Sequence, residues 1–75
     1  MSEDWYTITF EVKTLKSYET VFFKMRNNQR AGLMMNAFNE RNNSVYRNFE
    51  IDDYIIHPDD IVGNLNINDK IITTF

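Results

Sequence analysis

Residues 19–38 read ETVFFKMRNNQRAGLMMNAF, and within them the spacing of the apolar side chains changes once. Val21, Phe23 and Met25 alternate with Thr20, Phe22, Lys24 and Arg26, the period of a half-buried strand. Ala31, Met34, Met35 and Phe38 then fall at i, i+3, i+4 and i+7, one face of a helix. Asn27 or Asn28 is placed to cap the first turn, and Asn42-Asn43 to end the helix. Gly32 costs up to about 1 kcal/mol relative to Ala inside a helix. It is expected either to mark a close approach of the helix to a sheet or to occupy an early turn that tolerates it.

Upstream, Trp5 to Lys13 also alternates, with Tyr6, Ile8, Phe10 and Val12 on one face. The polar link Thr14–Tyr18 joins the two runs, which read as an antiparallel hairpin. Downstream, Val45–Ile51 reads as a third strand with a fault, because Arg47 shares the face of Val45, Phe49 and Ile51. Either Arg47 lies at a sheet edge and snorkels, or a bulge re-phases the strand. Tyr54-Ile55-Ile56 reads as a short fourth strand. His57-Pro58-Asp59-Asp60-Ile61 reads as a turn opening a short helical turn, with Pro58 near its first position. Leu65 and Ile67 are expected to anchor the loop 64–69, and Lys70–Phe75 to close the sheet. One helix packed across one face of a mixed sheet gives a two-layer α+β domain, ββαββ in its main elements, with the first and last strands central and parallel.

Composition bounds the function. Seventy-five residues allow one core. Without cysteine there is no disulfide, thiol nucleophile or Cys-based zinc site, and His57 alone cannot form a two-His metal site. Gly32 and Gly63 stand too far apart for a phosphate-cradling loop. These counts argue against an enzyme, and no cofactor is expected. A net charge of -3 argues against nucleic acid as the main partner. No apolar run reaches the length of a membrane span, and no signal peptide opens the chain, so the expected setting is soluble and intracellular, nuclear or cytoplasmic. Residues 1–48 hold seven Lys/Arg against five acids, and residues 49–75 one Lys against six acids. That asymmetry reads either as chance in a chain this short or as a basic face and an acidic face.

The order and spacing of these elements resemble the β-grasp fold of ubiquitin-like proteins, and more closely SUMO and SUMO-like domains. Ile8–Val12 resembles the family's first strand. Val21–Arg26 followed by Met34, Phe38 and Arg41 resembles its second strand and helix. Phe49-Glu50, His57–Ile61 and Asn68-Asp69 resemble its Phe-Glu-Gly turn, Thr-Pro-x-x-Leu turn and acidic loop. The resemblance covers residues 6–75, with residues 1–5 expected to be a flexible N-terminus. The departures are Ile51-Asp52 in place of the glycine after Phe-Glu, Arg47 at a usually apolar position, asparagine in place of most of the acidic loop, and no Gly-Gly after Phe75. They favour a stand-alone or embedded SUMO-like domain over a conjugated modifier. The alternatives are a modifier whose Gly-Gly tail lies outside this sequence and a structural or self-assembling scaffold module.

Two docking modes follow from the resemblance. In the first, an extended peptide adds to the edge of the second strand beside the helix, with Phe22, Lys24, Arg26, Arg30, Leu33 and Arg41 as candidate contacts for short hydrophobic motifs with flanking acids. The bland reading of Lys24 and Arg26 is protection of an edge strand from aggregation. In the second, Glu50 and Asp69 on an acidic face meet the SUMO-conjugating enzyme, against the bland reading of a solvated face. His57 reads as a turn residue, and the pairs Asp52-Asp53 and Asp59-Asp60 diverge too much to share a metal. A monomer that binds protein is the expected form.

Overall fold

The computed structural model describes residues 5–16 and 18–75. Of the stretch expected to be flexible, only Trp5 falls among them. It is half-buried, with the Arg26 guanidinium 4.6 Å from its ring centroid. Ser17, in the expected first turn, lies outside the described residues.

The chain forms β1 (Thr7–Thr14), β2 (Thr20–Arg26), α1 (Ala31–Arg41), β3 (Phe49–Ile51), β4 (Tyr54–Ile55), a short 3-10 turn (Val62–Asn64) and β5 (Ile71–Thr74). The five-stranded sheet has the order β2-β1-β5-β3-β4. The expected architecture is present: β1 and β2 pair antiparallel, and β1 and β5 pair in parallel at the centre. Alternation sorts β1 cleanly, with Ile8, Phe10 and Val12 buried and Thr7, Thr9, Glu11 and Lys13 turned away. Tyr6, expected on the buried face, lies just before β1 and is exposed. Phe10 stacks on its cross-strand partner Phe23 at 5.6 Å.

The helix buries Ala31, Met34, Met35 and Phe38, the four residues of the sequence stripe, and Phe38 meets Phe49 edge-to-face at 5.9 Å. Its C-terminus ends as expected, in a Schellman closure: Ser44 N–H donates to the Asn39 carbonyl, Asn43 N–H donates to that of Glu40, and Asn43 takes φ 51°. Its N-terminus does not follow the expectation. The N-cap is Arg30, with no side-chain cap. The first helical amides instead reach another part of the chain: Ala31 N–H donates to the Asp60 carbonyl at 2.7 Å and Gly32 N–H to that of Pro58 at 2.8 Å. Asn27 is occupied elsewhere, its side-chain oxygen accepting from Tyr6 N–H at 2.9 Å.

The third strand is shorter than its pattern. Asn39 holds Tyr46 by both of its main-chain groups, at 2.8 and 2.9 Å, and the Tyr46 ring packs on Phe38. Residues 45–47 therefore follow the helix end rather than the sheet, while Asn48 exchanges backbone hydrogen bonds with Phe75 at the end of the β3–β5 ladder. Val45 and Arg47 are both exposed, so neither a snorkelling edge nor a bulge is needed to explain the fault. The turn 57–60 likewise does not open a helix; the 3-10 turn starts at Val62, beyond Pro58. Ile67 is buried and Leu65 packs against the core, as expected.

Both glycines serve the same seam between residues 27–32 and 58–63. A Cβ on Gly63 would lie 2.6 Å from the Asn27 carbonyl oxygen, and one on Gly32 would lie 3.1 Å from that of Pro58. The close approach read from Gly32 is thus to a loop and not to the sheet. Gly63→Ala should cost about 1–3 kcal/mol in denaturant unfolding by overpacking. Gly32→Ala should stay within about 1 kcal/mol of the parent, because helix propensity offsets a milder contact. Thr74 is buried in the sheet, and its hydroxyl has no hydrogen-bond partner among the described residues. The near-isosteric Thr74→Val should therefore raise stability, by about 1 kcal/mol in the same unfolding experiment.

Candidate functional site

Among the described residues β2 is an edge strand, paired on one side only by β1. Edge position changes what its inward residues do: Met25 is buried, but Val21 and Phe23 remain half-exposed because no further strand covers them. On the helix, Ala37, Glu40 and Arg41 fall at i, i+3 and i+4, beside the buried stripe. Together with Phe22 these residues line a shallow groove of about 370 Å³. At Val21 and Arg41 the groove continues into a more polar hollow that also includes Glu19, Thr20, Ser44 and Tyr46.

The structure therefore brings Phe22 and Arg41 together in the groove. Lys24, Arg26, Arg30 and Leu33 are exposed but do not line it. Lys24 and Arg26 share the outward face of β2 with Phe22, and Arg26 is packed on Trp5. Arg30 stands at the helix N-cap, in a backbone bridge with Ile61. Sequence reasoning missed Val21, Phe23, Ala37 and Glu40 as groove residues. The signal was present, since an edge strand beside a helix exposes part of both inward faces.

The acidic candidates are not gathered. Glu50 is half-buried on β3, opposite Ile55 and Thr73. Asp69 takes φ 62° and clasps β1: its amide donates to the Thr9 carbonyl at 2.6 Å, and its carboxylate accepts from the Thr9 hydroxyl at 3.3 Å. Asn68 accepts from Thr9 N–H at 3.0 Å. Asp52 and Asp53 both take positive φ, which makes a two-residue turn of type I′ between β3 and β4. Asp52 pairs with Lys70 at 3.3 Å. His57 is a turn residue, its Nδ1 accepting from Asp59 N–H at 3.0 Å. Among the described residues no three His, Asp or Glu side chains form a cluster able to hold a metal ion.

A second hollow of about 370 Å³ lies beside the β3–β4 turn, lined by residues that include Tyr54, Asp60, Asp52 and Lys70. Four of its polar side chains are committed to each other, Asp52 to Lys70 and Tyr54 to Asp60. The Tyr54 hydroxyl donates to Asp60 at 2.5 Å and the His57 amide donates to the same oxygen at 2.9 Å. Those two hydrogen bonds, Tyr54 first, hold the Asp60 carboxyl below its ordinary range, and the bond to Asp60 raises Tyr54 above its own. The β2–α1 groove is the better candidate, because its apolar walls and free strand edge have no such internal use.

The described residues have the ubiquitin-like β-grasp fold, a mixed five-stranded sheet with one helix across it, and that fold is similar to one solved for a SUMO mimic. A solved structure described as molecular mimicry of SUMO that promotes DNA repair superposes with a TM-score of 0.74, covering 92% of this chain and 90% of its own at 12% sequence identity. No protein-family model and no curated protein sequence matches the chain. Among the described residues no helix is long and apolar enough to cross a membrane.

The Tyr54–Asp60 pair gives stability a signed pH dependence. The lowered Asp60 pKa contributes stability that is present above about pH 4 and lost as pH falls through it; the raised Tyr54 pKa contributes stability present below about pH 10 and lost as pH rises. Denaturant midpoints measured from pH 2 to 11 should show both losses in the parent. In Tyr54→Phe the alkaline loss should shrink and the acid loss should flatten. Identical profiles for the two proteins would contradict this assignment.

Proposed function

We propose that the chain is a non-covalent, non-enzymatic protein-interaction domain that takes an extended peptide into the β2–α1 groove. The observation that carries this reading is a free strand edge beside an apolar wall, Val21, Phe23 and Ala37, with the cation of Arg41 at its rim. A peptide strand would pair with the β2 backbone for affinity, place an apolar side chain against that wall and set an acidic flank near Arg41. Lys24 and Arg26 add positive potential on the outward face of the same strand and would speed the encounter. The SUMO-like fold supports protein interaction in general, and we place its setting inside the cell, in nucleus or cytoplasm. Docking of a conjugating enzyme through Glu50 and Asp69 is the weaker reading, because the Asp69 carboxylate is already engaged with Thr9.

Fluorescence anisotropy with a labelled peptide of three or four Val/Ile residues and an acidic flank tests the proposal. Arg41→Glu should weaken binding by about tenfold, roughly 1.4 kcal/mol, with the far-UV spectrum unchanged. Arg26→Glu should weaken it less and mainly through the association rate. An affinity unmoved by Arg41→Glu and by Val21→Asp would sink the groove.

A further inference from the structure

Among the described residues the sheet has two free edges, β2 and β4. Their directions follow from the pairings. β1 and β5 run one way; β2 and β3, each antiparallel to one of them, run the other way; β4, antiparallel to β3, runs with β1. The edge strands β2 and β4 are therefore antiparallel to each other. A copy displaced sideways by one sheet width would set its β2 beside this β4 in the antiparallel arrangement that sheets favour.

The side chains on those edges match. On the sheet face away from the helix, the β2 edge carries exposed Phe22 flanked by Lys24 and then Arg26. On the same face the β4 edge carries exposed Ile55, with Glu50 paired across from it, and the adjoining turn carries Asp53. Neither Glu50, Asp53 nor Lys24 has an ion-pair partner among the described residues. Four strand spacings of about 4.8 Å put the two edges about 19 Å apart, more than twice the screening length of about 8 Å at physiological salt. The opposite charges therefore do not neutralise each other within one molecule. Like edges repel, and unlike edges attract.

We propose that this chain self-associates head to tail, the β4 edge of one copy docking on the β2 edge of the next, with Ile55 against Phe22 and Glu50 and Asp53 against Lys24 and Arg26. The contact is heterologous and does not close, so it makes open chains. β4 is only two residues long and offers few backbone hydrogen bonds, so the charges carry much of the contact. The proposal does not rest on the peptide groove, but it uses the same β2 edge and Phe22, so a peptide and a second copy would compete for that edge.

Sedimentation velocity on the full chain without peptide tests it. In about 20 mM salt the average sedimentation coefficient should rise with concentration, and about 500 mM salt should weaken the association at least tenfold. Two neutralised double variants, Lys24→Gln/Arg26→Gln and Glu50→Gln/Asp53→Asn, should each stay monomeric alone. Mixed in equal amounts they should form a 1:1 dimer and nothing larger, because one intact edge of each kind remains. A wild-type chain that is monomeric up to about 1 mM at low salt overturns the proposal, as does association lost in only one of the two variants.

Discussion

The start of α1 is held by main-chain carbonyls from a loop some thirty residues later in the chain, and the rest of the molecule is arranged around that constraint. A helix leaves its first amides unsatisfied. Here Asp60 and Pro58 supply the acceptors, while Val62 N–H and Gly63 N–H return the connection by donating to the carbonyls of Gln29 and Asn27. Side-chain caps give way to a ribbon of backbone bonds, completed by the Arg30–Ile61 bridge. The ribbon fixes where the helix begins, and with it the separation between α1 and β2 that makes the groove. It leaves no space for a Cβ at Gly63 and little at Gly32. Asp60 links the seam to the sheet, because its side chain accepts from Tyr54 on β4 while its carbonyl accepts from the helix.

Much of this was legible in the sequence. The change of apolar period at residues 27–31 placed β2 and α1, and the four buried residues of the helix are those of its stripe. The N-cap was not legible: Asn27 has the right chemistry at nearly the right place, but its partner Tyr6 is brought beside it only by strand pairing. Val45–Ile51 reads as a long strand because its apolar pattern is local. The restraint that shortens it, Asn39 gripping Tyr46, comes from the far side of the helix end. For the groove, Phe22 and Arg41 were readable as exposed residues near the edge. Val21 and Phe23 read only as one face of a strand, because alternation reports which face a residue takes and not whether another strand covers it. The acidic residues looked like one face, yet Asp52, Asp60 and Asp69 are each held by a different local partner.

The glycines show how differently one fold can be specified. Neither has positive φ; both are small because a neighbour is close. The left-handed positions fall instead to Asn43, Asp52, Asp53, Asn66 and Asp69. Asn and Asp tolerate that region better than other side chains, with their own short polar arms to satisfy nearby backbone. A chain rich in these residues can build its turns without glycine, and in the β3–β4 turn it does so with two aspartates.

The central ladder of the sheet joins Glu11 to Ile71 and Thr14 to Thr74 in parallel, with nearly the whole chain between them. Such a pairing closes a loop of about sixty residues before it gains anything, and long-range closure slows folding. On a ribosome the hairpin and the helix emerge early, but the strand that lies between β1 and β3 is the last strand of this sheet to be made. Until it arrives, β1 has a bare second edge over Glu11–Thr14, and Val12 lacks its neighbour Ile72. The domain can thus complete its sheet only after its final strand is made, and until then the open β1 edge is exposed to mispairing.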